Sequence, residues 1–197
     1  KQELEQFDLA DGKKPVFKYD FNTDPAKVAY TNTGGIVYNI TSFDFTRADI
    51  PYHGCFQVLK TIINLEYLWN KIRVQGGAYG CGCKFTNSGF SYLYSYRDPN
   101  LKETYDVYKE LIHDIETFDA DEREMTKYIL GTINEMDQPK TNMDKLNAAI
   151  NKFYKGITDE SVIDQRKQIL QTSAADIRGC KKLLQFFSIL LPQTVLY

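Results

Sequence analysis

Two adjacent glycines constrain this chain more than any other feature. Gly76 and Gly77 follow an amphipathic segment that ends at Arg73, and they precede two aromatic-rich segments, 78–86 and 89–96, joined at Asn87-Ser88-Gly89. A glycine pair is a poor place to continue a helix. The hydrophobic period also changes there, from helical to alternating. The stretch LWNKIRVQGGAYGCGCKFTNSGFSYLYSYR, 68–97, therefore reads as helix, break and hairpin. Arg73 ends the helix and Tyr79 opens the first strand. A permanent cation and a phenol are thus held a few residues apart across a joint. Such a pair suits gripping a carbonyl or a developing oxyanion. The competing reading has Arg73 facing the carbonyl end of its own helix and Tyr79 packed in the sheet.

The flanking segments set the fold class. Residues 1–25 are polar and broken by Asp-Gly, Lys-Lys-Pro and Asp-Pro, which suggests a linker with a short extended piece at Val16–Tyr19. Residues 27–46 alternate weakly, are interrupted at Gly34-Gly35, and suggest a strand pair or one long bent strand, best over Gly35–Phe45. Pro51 is expected to open a long helix whose buried face carries Cys55, Val58, Leu59, Ile62, Ile63, Leu65, Trp69 and Ile72. In the hairpin, Tyr79, Cys81, Cys83 and Phe85 should share one face. Ala78, Gly80, Gly82 and Lys84 should share the other, small enough for a helix or another backbone to approach. Asp98-Pro99 reads as a helix start, with a stripe of Leu101, Tyr105, Tyr108, Leu111, Ile112, Ile115 and Phe118. Asp119 and Glu122 have capping-box spacing for the next helix, to about Met136. Further helices are expected at about 142–154, 159–171 and 174–190, bounded by Gly156 and Thr172-Ser173. PQTVLY could begin a last strand. Strands, helix, hairpin and a run of helices predict an α+β fold, a largely antiparallel sheet covered by helices.

The bulk numbers exclude several classes of function. A length of 197 residues suits one domain. With 43% apolar and 25% charged residues and a net charge of −2, nothing favours nucleic acid or an anionic membrane. No apolar run reaches the roughly 18 residues that span a bilayer, FFSILLP at 186–192 being the longest candidate. Four cysteines are too few for a disulfide framework at this length, so a reducing cytoplasm is the expected compartment. The first residues have no apolar signal core, and the abrupt start at Lys1 suggests a piece of something longer.

Most catalytic patterns fail. The two histidines, His53 and His113, lie in no zinc-binding spacing. Cys81 and Cys83 share a strand face, and Cys55 is a conceivable third ligand, but small buried residues explain all three. His53 and His113 are expected to be structural and surface-lying, respectively. No G-x-S-x-G occurs. The glycine-rich 76–82 tract leads from helix to strand and lacks the Lys-Ser/Thr ending of a phosphate loop. The tyrosines 92, 94 and 96 could stack bases, but no basic patch accompanies them.

The residues YLWNKIRVQGGAYGCGC followed by SYRDPNL resemble the C-terminal domain of the pitrilysin/insulinase family of zinc peptidases, most closely its presequence-protease branch. The similar stretch runs from about Tyr52 to Leu101. The resemblance implies a four-domain enzyme of two bowl-like halves around a chamber. Its N-terminal half would hold zinc through an inverted H-x-x-E-H motif, where the metal activates water. Its C-terminal half would reach across to peptide substrates with an Arg and a Tyr, which match Arg73 and Tyr79 here. This chain carries no zinc motif, so no metal-binding residue is assigned to it and the domain alone is expected to be inactive. Gly76 and Gly77 would let the Arg-to-Tyr connection flex as the halves close.

The expectation is therefore a linker at 1–25 and one α+β domain at 26–197 that stops short of its last strands. It would be the substrate-binding, catalysis-assisting domain of a zinc endopeptidase that degrades oligopeptides. Its partners would be peptide substrates and the enzyme's own N-terminal half, with no nucleic acid or membrane involved. The compartment would be cytoplasmic, or an organelle matrix. The alternatives are a non-catalytic scaffold of the same fold and a peptide-interaction module built on the aromatic hairpin.

Overall fold

The computed structural model describes residues 34–190, with side chains described as far as residue 186. The extended piece expected at Val16–Tyr19, the first part of the 27–46 segment and the strand expected in PQTVLY lie outside these residues. Strand β1 is Val37–Asp44, within the expected span. Helix α1, Cys55–Ile62, continues without interruption into a wider helical segment, Ile63–Gln75, with π-type bonding. Strands β2, Gly80–Phe85, and β3, Phe90–Asp98, form the hairpin. Six helices follow: α2 Lys102–Glu116, α3 Glu122–Met136, α4 Asn142–Lys155, α5 Asp159–Leu170, α6 Ala174–Gly179 and α7 Lys181–Leu190.

The sheet has the order β1-β3-β2, and both pairings are antiparallel. Its inner face carries Asn39, Thr41, Cys83, Phe85, Ser91, Leu93 and Ser95, all buried. Leu59, Ile63, Leu68, Tyr108, Leu111, Leu183 and Leu184 join Phe85 and Leu93 in one continuous core. No described helix covers the outer face, where Tyr38 and Ile40 are well exposed. This is the α+β arrangement expected from the sequence, the described helices packing on one face. Helix α4 buries none of its side chains among the described residues, and Met143, Leu146 and Phe153 stand exposed on it.

Several local expectations are corrected. The helix starts at Cys55, not Pro51, because 51–54 are held by α5 instead. The Tyr52 hydroxyl accepts hydrogen bonds from Gln57 Nε2 at 2.9 Å and Gln165 Nε2 at 2.8 Å, and the Gly54 N–H donates to Gln168 Oε1 at 2.7 Å. Leu65 and Trp69, placed on the buried face by a 3.6-residue period, are exposed. The i→i+5 bonding of the wide segment lengthens the repeat, so the buried residues become Ile63, Tyr67, Leu68 and Ile72. The capping box of α3 is Asp121 with Glu124, two residues beyond the expected Asp119 and Glu122. The helix expected over 174–190 breaks at Cys180.

Asp98 does not cap α2, whose N-cap position is Leu101. Its carboxylate is instead buried at the end of β3. The expected α2 stripe is otherwise present, with Tyr108, Leu111 and Ile115 buried. Gly156 ends α4 in the left-handed conformation, and Ser173 caps α6 in a box with Asp176.

Candidate functional site

The wide helical segment ends in a fully bonded turn. Lys71 O accepts from the Gly76 N–H, Arg73 O from Gly77 and Ile72 O from Ala78, each at 3.1 Å. Both glycines are required sterically. A Cβ at Gly76 would lie 2.6 Å from Ile72 O, and Gly77 has φ +78°. The Asn100 side-chain amide donates to Gly76 O at 2.6 Å, and the Tyr79 N–H donates to Arg97 O at 3.2 Å. The turn after the helix is therefore tied to the end of β3 at two points.

This framework brings Arg73 and Tyr79 together. The guanidinium carbon of Arg73 lies 4.2 Å from the Trp69 ring centroid and 6.0 Å from that of Tyr79. Tyr79 lies just before β2 and is 59% exposed, so it does not share the buried face of Cys83 and Phe85 as alternation implied. Trp69, expected in the core, instead forms the exposed platform for Arg73.

Sequence reasoning gave no role to Arg97, which the fold adds to the site. Val37 pairs with Asp98 and Asn39 with Ser95, so β3 carries one extra residue across that interval. This is a β-bulge, and Arg97 within it has φ +48°. Regular alternation after the outward Tyr92, Tyr94 and Tyr96 would turn Arg97 into the core. The bulge exposes Tyr96 and Arg97 together and returns Asp98 to the inner side. The Arg97 guanidinium carbon then lies 5.7 Å from the Tyr79 ring centroid. A charged residue at an inward-facing position was the available sequence signal.

Asp98 is 0% exposed. Its Oδ2 accepts from Ser95 Oγ at 2.6 Å, Thr104 Oγ1 at 2.7 Å and Asn39 Nδ2 at 3.1 Å, and its Oδ1 accepts from the Asn100 N–H at 2.9 Å. A buried carboxylate satisfied in this way is costly to disturb. It anchors the bulge that carries Arg97.

The outer face continues from Tyr79 as a ladder of rings. Centroids are 5.5 Å apart for Tyr79–Tyr96, 6.4 Å for Tyr96–Tyr94, 5.9 Å for Tyr94–Tyr92 and 5.7 Å for Tyr92–Phe90. Tyr94 and Tyr96 lie across Gly82 and Gly80. A Cβ at Gly82 would be 2.8 Å from the Tyr94 hydroxyl oxygen. The small face of β2 therefore admits rings of its own hairpin, not a helix or another backbone.

Neither Arg73 nor Arg97 has a carboxylate within ion-pair distance among the described residues. The site thus offers two guanidinium groups and a phenol, all donors, beside an apolar ledge. It can hold a carbonyl oxygen or an anion.

The cysteines serve the scaffold. Cys81 Sγ donates to Leu68 O at 3.2 Å, and Cys83 Sγ to Lys60 O at 3.8 Å. Burial pushes the Cys81 thiol up to about 11, with Arg73 pulling weakly the other way, and raises Cys83 as well. Cys55 lies 3.9 Å from Cys180 instead of joining them. The Cys55 N–H donates to His53 Nδ1 at 3.2 Å, and His113 is exposed. Among the described residues no three His, Cys, Asp or Glu side chains are grouped to hold a metal ion. No described helix is long and apolar enough to cross a membrane.

The family model for the PreP C-terminal domain matches residues 20–186. The chain is 33% identical over 168 residues to protein HypA of Clostridium perfringens, covering 85% of this chain and 17% of that protein. It is 35% identical over 170 residues to presequence protease 1, chloroplastic/mitochondrial, of Arabidopsis thaliana, covering 85% of this chain and 15% of that one. With the mitochondrial presequence protease of Mus musculus it shares 31% identity over 119 residues, 60% of this chain and 11% of that one. The chain spans less than a fifth of the length of these relatives. On the match across residues 20–186, it belongs to the PreP C-terminal domain family, within the presequence-protease branch of the pitrilysin/insulinase peptidases.

Proposed function

We propose that this domain grips the peptide and assists catalysis in a zinc endopeptidase that degrades oligopeptides. The observation that carries the reading is the exposed Arg73, with no carboxylate at ion-pair distance among the described residues, held 6.0 Å from the Tyr79 ring across a hydrogen-bonded turn. Arg73 would bind a carbonyl or carboxylate of the peptide through its fork of N–H donors. The Tyr79 hydroxyl would donate to the scissile carbonyl oxygen as charge develops on it. Gly76-Gly77 would be where this connection adjusts when the enzyme's halves close on substrate.

The described residues do not form a zinc site. The metal and the water it activates would be supplied by the N-terminal half of the parent enzyme, the principal partner of this domain. Arg73 and Tyr79 bind and orient the substrate. The domain alone would be inactive, and the compartment of the parent would be the cytoplasm or an organelle matrix.

The test is peptide hydrolysis by the full-length parent in the presence of zinc, comparing wild type with Arg73→Ala and Tyr79→Phe. A fall of about a hundredfold in turnover for either variant is expected. Unchanged turnover in both would leave the domain as a non-catalytic scaffold.

A further inference from the structure

We infer that Arg97 is a second substrate-contacting cation of this site, and that it takes a carboxylate of the peptide. That carboxylate is the peptide's C-terminus or an acidic side chain. The inference rests on the reading that the parent is a peptidase, and it adds a residue and a chemical preference to it.

Three features support it. First, the backbone departs from regular geometry at this residue. Arg97 takes φ +48°, a conformation that suits glycine or asparagine better than arginine. The departure is held in place from below by the four hydrogen bonds to buried Asp98. Strain maintained by an over-determined neighbour is characteristic of residues placed for a task. Second, the placement brings a second guanidinium to within 5.7 Å of the Tyr79 ring that Arg73 already approaches at 6.0 Å. Both cations thus flank one ring, and an arriving carboxylate is drawn to the positive potential they share. Third, the surrounding face supplies no competing anion among the described residues. The outward residues of the three strands are Tyr38, Ile40 and Ser42, then Gly80, Gly82 and Lys84, then Phe90 and the tyrosine ladder. Asp44 is the one carboxylate at the edge of that face among the described residues, at the Phe90 end, and it is engaged by Thr46 and Arg47.

A peptide along the ladder would therefore lay apolar side chains over the rings and leave a negative group at the Tyr79 end. The competing role for Arg97 is to steady the Tyr79 ring by a cation–π contact, which would not depend on the charge of the peptide.

The experiment uses the full-length parent and the variants Arg97→Asn and Arg97→Lys. Asparagine tolerates the left-handed conformation, so the first variant removes the cation and keeps the bulge. Three matched peptides serve as substrates: one with a free C-terminus and an internal Glu, its C-terminal amide, and its Glu→Gln analogue. Arg97→Asn should lower kcat/KM about tenfold on the first peptide. It should change kcat/KM less than about twofold on whichever analogue lacks the recognised carboxylate, and Arg97→Lys, which keeps the charge but not the fork, should recover part of the loss. The insensitive analogue identifies the source of the carboxylate. An equal fall on all three peptides, or none on any, overturns the inference while leaving the peptidase reading intact. A parent that cleaves none of them overturns both.

Discussion

The Asp98 carboxylate accepts a 2.6 Å hydrogen bond from the Ser95 hydroxyl three residues earlier, and the two residues between them both face outward. The buried pair thus fixes what the open face displays. Tyr96 continues the aromatic ladder, and Arg97 reaches Tyr79. Polar burial on one side of the sheet sets cation placement on the other.

Asp98→Ala should therefore destabilise the domain and disturb the site together. It leaves the Ser95 and Thr104 hydroxyls and the Asn100 N–H without their acceptor, while the Asn39 amide keeps Ser95 Oγ and Asn100 O. Several buried donors losing one charged partner cost about 3 kcal/mol or more. Urea unfolding followed by the fluorescence of Trp69, the single tryptophan, measures it. A loss below about 1 kcal/mol would mean that water replaces the carboxylate easily.

Two glycine replacements should differ in a defined order. A Cβ at Gly54 would meet backbone, Gln165 O at 2.6 Å and Ile169 N at 3.1 Å. At Gly80 it would meet the Tyr96 ring, at the far end of a side chain that can swing away. Gly54→Ala should cost about 2 kcal/mol or more, and Gly80→Ala less than about 1 kcal/mol. Gly80→Ala should instead displace Tyr96 from the ladder. Denaturation midpoints compare the two, and the reverse order would contradict the packing described.

The start of α3 offers a choice between two overlapping Asp-x-x-Glu sequences. Asp121→Ala should cost about 1 kcal/mol, because Asp121 Oδ1 accepts from the Glu124 N–H at 2.8 Å. Asp119→Ala should be close to neutral. Thermal unfolding of the two variants distinguishes them.

The thiol of Cys81, raised to about 11 by burial, should be almost fully protonated at about pH 8. Because the thiolate is the reactive form, alkylation there should run roughly a hundredfold slower than for a free cysteine. The rate should keep rising with pH beyond the range where ordinary thiols level off. Residue-resolved mass spectrometry after iodoacetamide treatment reads both effects. Labelling as fast as an exposed cysteine would show that Cys81 is not held against Leu68.

The large pattern is legible in the sequence because each signal is local. The Gly76-Gly77 break, the Asn87-Ser88-Gly89 turn, Gly156 and the Ser173 cap all act within a few residues of themselves, and the helices α4 and α5 follow from them. Arg73 and Tyr79 are visible for the same reason, one on each side of a break. What stays hidden depends on partners distant in sequence. A 3.6-residue period assigns Trp69 to the core because the widening of its helix is not written in that period. Asp98 resembles a cap because Asp-Pro is a common helix start, while its real donors include Asn39, 59 residues away. Arg97 escapes a reading along one strand because a bulge shows itself only when two strands are set side by side.

The central claim is that Tyr79 stabilises charge on the substrate as the bond breaks. The most direct measurement is kcat and KM for Tyr79→Phe in the full-length parent, with bound zinc quantified in the same preparations. The substitution removes one oxygen and keeps the ring against Tyr96 and Arg97. The account predicts kcat lower by about a hundredfold, with KM and zinc content close to wild type. A wild-type kcat would contradict it and reduce Tyr79 to one more ring on the ledge.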